Sequence, residues 1–121
     1  MTLESFRNYC LSLGFVDECF PFDNETLVFK CGGKIFALTN ITLFESVNLK
    51  CEPEYALELR SCYHSIQPGY HMNKKHWNTI LLYGDVKDVF LIELINHSYQ
   101  LIFNSLPKKV KENLNSSNVK N

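Results

Sequence analysis

The chain holds only two arginines, Arg7 and Arg60, and carries a formal net charge of −1. A protein built wholly for polyanions neutralises phosphates with many Lys and Arg, so that class is disfavoured. A CxxC pair is also missing. Cys10, Cys19, Cys31, Cys51 and Cys62 are odd in number and spaced too widely to seed a zinc knuckle or a redox site. They read as free thiols packed as small apolar residues, which implies a reducing compartment. No GxSxG elbow, phosphate-cradling Gly-rich loop or HExxH motif occurs, so neither an enzyme nor a cofactor site is expected. No segment approaches the ~20 apolar residues of a membrane span. The start MTLESFRNYC has neither the basic opening nor the apolar run of a signal peptide. A cytoplasmic protein with no membrane attachment is the expectation.

What is present suffices for one core. Of 121 residues, 45% are hydrophobic, with nine Phe, six Tyr and one Trp, enough apolar surface for a single domain and too little chain for two. The expected domain is 1–114, a monomer, followed by a polar, flexible tail at 115–121. Charge is unevenly distributed. Residues 1–25 set Arg7 against Glu4, Asp17, Glu18, Asp23 and Glu25. Residues 26–82 carry an excess of lysine, so an anion site belongs in the middle third or near the C-terminus.

Periodicity supplies the elements. Leu3, Phe6, Cys10 and Leu13 recur at helical spacing, with Thr2 as N-cap and Gly14 as stop. Phe15 to Asn24 reads as a loop pinned to the core by Phe20, Pro21 and Phe22. LVFKC and KIFAL flank Gly32-Gly33, a strong hairpin signal because tight hairpin turns need positive φ. This turn puts Phe29 opposite Phe36 and gathers Leu27, Phe29, Phe36 and Leu38 on one face, with Val28, Lys30, Ala37 and Thr39 on the other. ESVNLK alternates as a third strand, Val47 and Leu49 inward. Pro53 opens a short helix to about Ser61. CYHSIQPGYHMNKK has no sustained period, HWNTILLY reads as a strand, and Asp85 is placed as the cap of a long helix reaching about Ser105. Pro107 starts a short basic helix. These elements predict an α+β fold, an antiparallel sheet packed on helices.

Residues 62–78 crowd Tyr63, His64, Tyr70, His71, Lys74, Lys75, His76, Trp77 and Asn78 together. Exposed aromatics beside cations stack bases and neutralise phosphates. The same residues also describe a rim covering a core edge. Strand parity places Lys30, Asn48, Lys50 and Asn78 on one sheet face, which a solvated face would equally show. Cys62, His64, His71 and His76 match no metal-ligand spacing, so no metal is expected.

Several stretches in succession resemble the MmcQ/YjbR family of small bacterial proteins. They are FPFD at 20–23, VFK-x-GGK-x-FAL at 28–38, VNLKCEPE at 47–54, Leu59-Arg60, PGYHMNKKHWNT at 68–79, Ser98-Tyr99 and LPKK at 106–109. The resemblance implies a fold similar to the frataxin/CyaY α/β sandwich. It also implies a DNA-binding role, which falls here on Lys30, Lys34, Lys50, Lys74, Lys75, His76, Trp77 and Asn78, with Tyr70 or Trp77 stacking on bases. Frataxin-like iron binding does not transfer, because it needs an acidic ridge and the first helix offers only Glu4. Two functions follow as expectations: weak, largely sequence-independent DNA binding, or a protein- or small-ligand-binding module with an aromatic pocket at PGYHMNKKHWN.

Overall fold

The computed structural model describes the backbone of residues 1–119 and the side chains of residues 1–114. Of the tail expected at 115–121, residues 120–121 lie outside the described residues, and 115–119 continue the backbone of the last helix.

Helix α1, Leu3–Ser12, starts where Thr2 and Ser5 form a reciprocal capping box and buries Phe6 and Cys10. Strands β1 (Val16–Cys19), β2 (Thr26–Cys31), β3 (Lys34–Asn40) and β4 (Ser46–Lys50) follow. Helix α2, Pro53–Cys62, begins at Glu52, whose carboxylate accepts the amides of Glu54 and Tyr55. Strands β5 (Ile66–Pro68) and β6 (Trp77–Leu81) precede helices α3 (Asp88–Ser105) and α4 (Lys108–Val119). The strands form one antiparallel sheet in the order β1-β2-β3-β4-β6-β5. The α+β class read from the periodicity is thus the one observed. None of the described helices is long and apolar enough to cross a membrane.

One face of the sheet packs on α1 and α3. Phe6, Phe29, Phe36 and Ile95 are fully buried there, with Phe6 edge-on to Phe29 and Tyr99 edge-on to Phe36. A β-bulge corrects the expected register. Phe29 lies opposite Ala37, and Lys30 lies opposite Ile35, leaving Phe36 as the extra residue of β3. Phe36 and Ala37 therefore both enter the helix-side core. Beyond them the parity is reversed from expectation. Thr39 lies across from the core residues Leu27 and Val47, whereas Leu38 lies across from Val28 and Asn48 on the open face. Phe29 and Phe36 remain packing neighbours, their rings 6.5 Å apart.

Three further expectations change. Phe15–Asn24 contains an edge strand, β1, which pairs with β2 although its VDEC sequence carries no period-two apolar pattern. Phe20 and Phe22 do not pin this segment to the core. They are 46% and 66% exposed, and the phenylalanines of the core cluster are Phe6, Phe29, Phe36 and Phe44. Asp85 does not cap α3, whose N-cap Lys87 makes no side-chain bond. Its carboxylate accepts instead the amides of His64 and Ser65 at 2.8 and 2.9 Å, fixing the turn that leads into the short strand β5.

Two predictions follow. Gly33 sits at φ +85° in the β2–β3 turn, where a β-branched side chain is strained, so Gly33→Val should lower stability by ~1 kcal/mol or more in urea unfolding. The Asp85 carboxyl is lowered from 3.8 to about 2 by Ser65, through its side chain and its amide, and by the His64 amide. A depressed carboxyl stabilises the fold fully above its unfolded value and loses that contribution as pH falls through its folded value. Between pH 3.8 and about 2 the wild type should therefore lose stability more steeply than Asp85→Asn, as urea midpoints measured against pH will report.

Candidate ligand cleft on the open sheet face

The face turned away from the helices is concave. Its floor is the row Leu38, Asn48 and Thr79, set side by side across β3, β4 and β6, with the fully buried Val28 next in the row on β2. Alternation along each strand adds Thr26, Asn40 and Ser46. Three loops raise walls around it: residues 20–25 with Phe22 and Asp23, residues 41–45 with Leu43, and residues 69–76 with Tyr70, His71 and Met72. Together they enclose a cleft of about 560 Å³, within the range of about 300–1,000 Å³ usual for small-molecule sites.

Each wall is locally tied down. Asp23 Oδ1 accepts the amides of Glu25 and Thr26 at 2.9 and 2.6 Å, and its Oδ2 accepts the Thr26 hydroxyl. The two amides, Glu25 first, hold its carboxyl below the usual range. Asn40 Oδ1 accepts the amides of Thr42 and Leu43, an Asx turn that brings Leu43 out of the strand. The Tyr70 amide donates to Thr79 Oγ1 at 2.9 Å, and that hydroxyl donates to Asn48 Oδ1. The third wall is thereby joined to the floor. His71 takes a left-handed backbone, φ 57°, uncommon for a residue with a side chain, with its ring 4.0 Å from that of Tyr70. Phe22, Leu43 and Tyr70 are 66%, 63% and 69% exposed. Three large apolar groups held in water around one depression are the feature that marks this face as a site.

The residues expected at a nucleic-acid site are divided. Tyr70 alone lines the cleft. Lys30 and Lys50 share the open face but lie toward its other end, Lys30 directly across from Asp17 and Lys50 from Trp77. Trp77 is half-buried, and Lys74 and Lys75 are exposed on the adjoining turn, the Lys74 ammonium donating to the Gly69 carbonyl at 3.1 Å. His76 is half-buried, its carbonyl accepting the Cys51 amide. Lys34 is at the hairpin turn, its ammonium 3.5 Å from the Ser105 carbonyl. Asn78 must be withdrawn. It lies opposite Leu49 on the helix side, 2% exposed, and accepts from Arg60 Nε at 2.7 Å. The parity that placed it with Lys50 was off by one residue. Among the described residues no cluster of His, Cys, Asp or Glu is arranged to hold a metal ion.

Sequence reasoning missed Phe22, Asp23, Leu38 and Leu43. The FPFD stretch did carry a signal, two phenylalanines around a proline in an acidic loop, but hydrophobicity alone assigned them to the core.

The 69–77 segment is held by Arg60, from the last turn of α2. Its guanidinium also donates to the carbonyls of Lys74 and Trp77, the latter at 3.1 Å. Gly69 permits the strand to close, since a Cβ there would stand 2.7 Å from that of Trp77.

Comparison with known proteins places these features in a family. The YjbR family model matches residues 11–101. The chain belongs to the YjbR family. It is 41% identical over 107 residues to the uncharacterized protein YbdF of Escherichia coli O157:H7, covering 88% of each chain. It is 30% identical over 113 residues to the uncharacterized protein YjbR of Escherichia coli K12, covering 93% of this chain and 96% of that protein. The crystal structure of Deinococcus radiodurans protein DR2400, with domain DUF419, superposes with a TM-score of 0.89 at 42% identity, covering 94% of this chain and 88% of that one.

The Arg60 arrangement makes a prediction. Arg60→Ala strands the buried Asn78 oxygen and two carbonyls, and hydrogen bonds to a charged group are worth about 1.5–3 kcal/mol. A stability loss of that order is expected, together with faster amide exchange over residues 69–77 than in the rest of the sheet.

Proposed function

We propose that this YjbR-family protein is a binding module rather than an enzyme, and that a small organic ligand occupies the cleft on the open sheet face. The observation that carries this reading is the ring of exposed apolar side chains, Phe22, Leu43 and Tyr70, around a floor of hydrogen-bonding groups. Thr79 occupies the Asn48 oxygen, which leaves the Asn48 amide nitrogen to orient what enters. Asp23 is held ionised by its own turn, a state suited to recognising charge and unsuited to donating a proton. A reducing, cytoplasmic setting belongs to the same proposal. All five cysteines are free, and burial pushes the thiols of Cys10 and Cys51 up to about 12 and about 11, as expected of thiols serving as inert packing.

A second reading, weak DNA binding, is favoured by one arrangement: Lys50 opposite Trp77 at one end of the open face, with Lys74 and Lys75 exposed beside them. Against it, Lys30 faces Asp17 across the strands, and Asn78 is buried.

Titration of the neutral aromatic phenethyl alcohol, followed by amide chemical shifts, tests the first reading. Shifts should concentrate at residues 22–26, 43–48, 70–72 and 79, and should vanish in Phe22→Ala/Tyr70→Ala. That variant should keep its stability within about 0.5 kcal/mol, because both side chains are largely in water. Shifts scattered over the helices, or unchanged in the variant, would overturn the cleft reading. A mobility shift against duplex and single-stranded DNA at two salt concentrations tests the second. Binding that weakens steeply with salt and is lost in Lys74→Ala/Lys75→Ala would establish it.

A further inference from the structure

Among the described residues, the cleft lining holds hydrogen-bonding groups of several kinds, one imidazole, His71, a single carboxylate and no lysine or arginine. That carboxylate, Asp23, sits on the same wall as the exposed Phe22 ring and shares the cleft with Tyr70. We infer that the ligand is an organic cation, an ammonium group carried on an apolar or aromatic body, with the positive charge at Asp23 and the body over Phe22 and Tyr70. The inference rests on the cleft being the binding site and adds the charge of what binds there.

Three independent features converge on it. The aromatic faces attract a cation through their quadrupoles. The acidity of the wall extends past Asp23. Glu25 follows two residues on, its carboxylate accepting the Thr42 hydroxyl beside Leu43. The lysines of the open face, Lys30 and Lys50, lie toward its opposite end. A ligand carboxylate or phosphate in the cleft would meet Asp23 with no lysine or arginine among the described lining residues to offset the repulsion. The hydrogen bonds that engage Asp23 come from two amides and a hydroxyl, neutral donors that leave its charge uncancelled.

A charge series on one scaffold tests this: phenethylammonium, phenethyl alcohol and 3-phenylpropionate, each titrated into the full chain at low salt and followed by amide shifts. Two unit charges about 4 Å apart in water change affinity about fivefold. Phenethylammonium should therefore bind about fivefold more tightly than the alcohol and about 25-fold more tightly than the carboxylate. The preference should shrink toward unity in Asp23→Asn, which keeps the turn's acceptor and removes the charge. The inference is overturned if the carboxylate binds as tightly as the ammonium, or if the preference survives in Asp23→Asn. Those results leave the cleft itself standing as long as the alcohol binds there. Failure of all three compounds to perturb the cleft would overturn both readings.

Discussion

A buried serine on α3 and the bulge it faces decide which side chains this sheet shows to water. Phe36 is the extra residue of β3, so its carbonyl and the Lys50 amide on the neighbouring strand lose the partners a regular ladder would provide. Ser98, fully buried, meets both needs with one hydroxyl, accepting from the Lys50 amide and donating to the Phe36 carbonyl. An unsatisfied backbone group buried at this point would cost about 1–3 kcal/mol. The bulge therefore depends on α3 being docked, and the docked position of α3 depends on the bulge. The parity of β3 follows. Phe36 and Ala37 both go to the helices, and Leu38 passes to the open face as part of the cleft floor.

The open face inherits a polarity from the order of the strands. The acidic N-terminal segment supplies the edge strand β1 and the wall at Asp23, whereas β4 and the turn before β6 supply Lys50, Lys74 and Lys75. A chain with net charge near zero thus presents an aromatic cleft beside a carboxylate at one end and a tryptophan beside ammoniums at the other. Whole-chain charge is blind to such an arrangement, since the two ends cancel in the sum. Screening over about 10 Å at ordinary salt keeps the ends electrostatically distinct, so a small ligand in the cleft feels Asp23 far more than it feels Lys75.

The fold was legible where local chemistry and burial agree. Thr2 as a cap, Pro53 at the start of α2, the Gly32-Gly33 turn and the inward Val47 and Leu49 all follow from side-chain properties that act within a few residues. What escaped depends on distant contacts. The bulge is stabilised by a residue more than sixty positions away, and nothing in LVFKCGGKIFAL announces it. Strand β1 forms because β2 offers an edge to pair with, although VDEC alone has no strand pattern. The candidate site was legible in half. Tyr70 belongs to a loop whose composition stood out, whereas Phe22 and Leu43 are hydrophobic residues that sequence logic assigns to a core. The one-residue parity error that buried Asn78 differs in origin from the misplaced Leu38, since β6 pairs with β4 without a bulge and only its starting phase was misread. In both, a single slip moves a side chain through the sheet.

The walls of the cleft bear on how selectivity would arise. Loops that close over a ligand must be ordered on binding, and each immobilised side chain or segment subtracts from affinity. Here the backbone is already fixed by Asp23 in its turn, by Asn40 at the base of the second wall, and by Thr79 and Arg60 on the third. What stays free is the side chains, Phe22, Leu43, Tyr70 and Met72, of which the first three are largely surrounded by water. A ligand that covers them gains about 25 cal/mol for each Å² of apolar surface removed from water without first ordering the loops. The floor supplies orientation through Asn48, and Asp23 supplies a preference of sign. Exchanging wall side chains would then retune the ligand while the sheet, the bulge and the helix docking remain untouched, which is how one scaffold can serve different ligands in different members of a family.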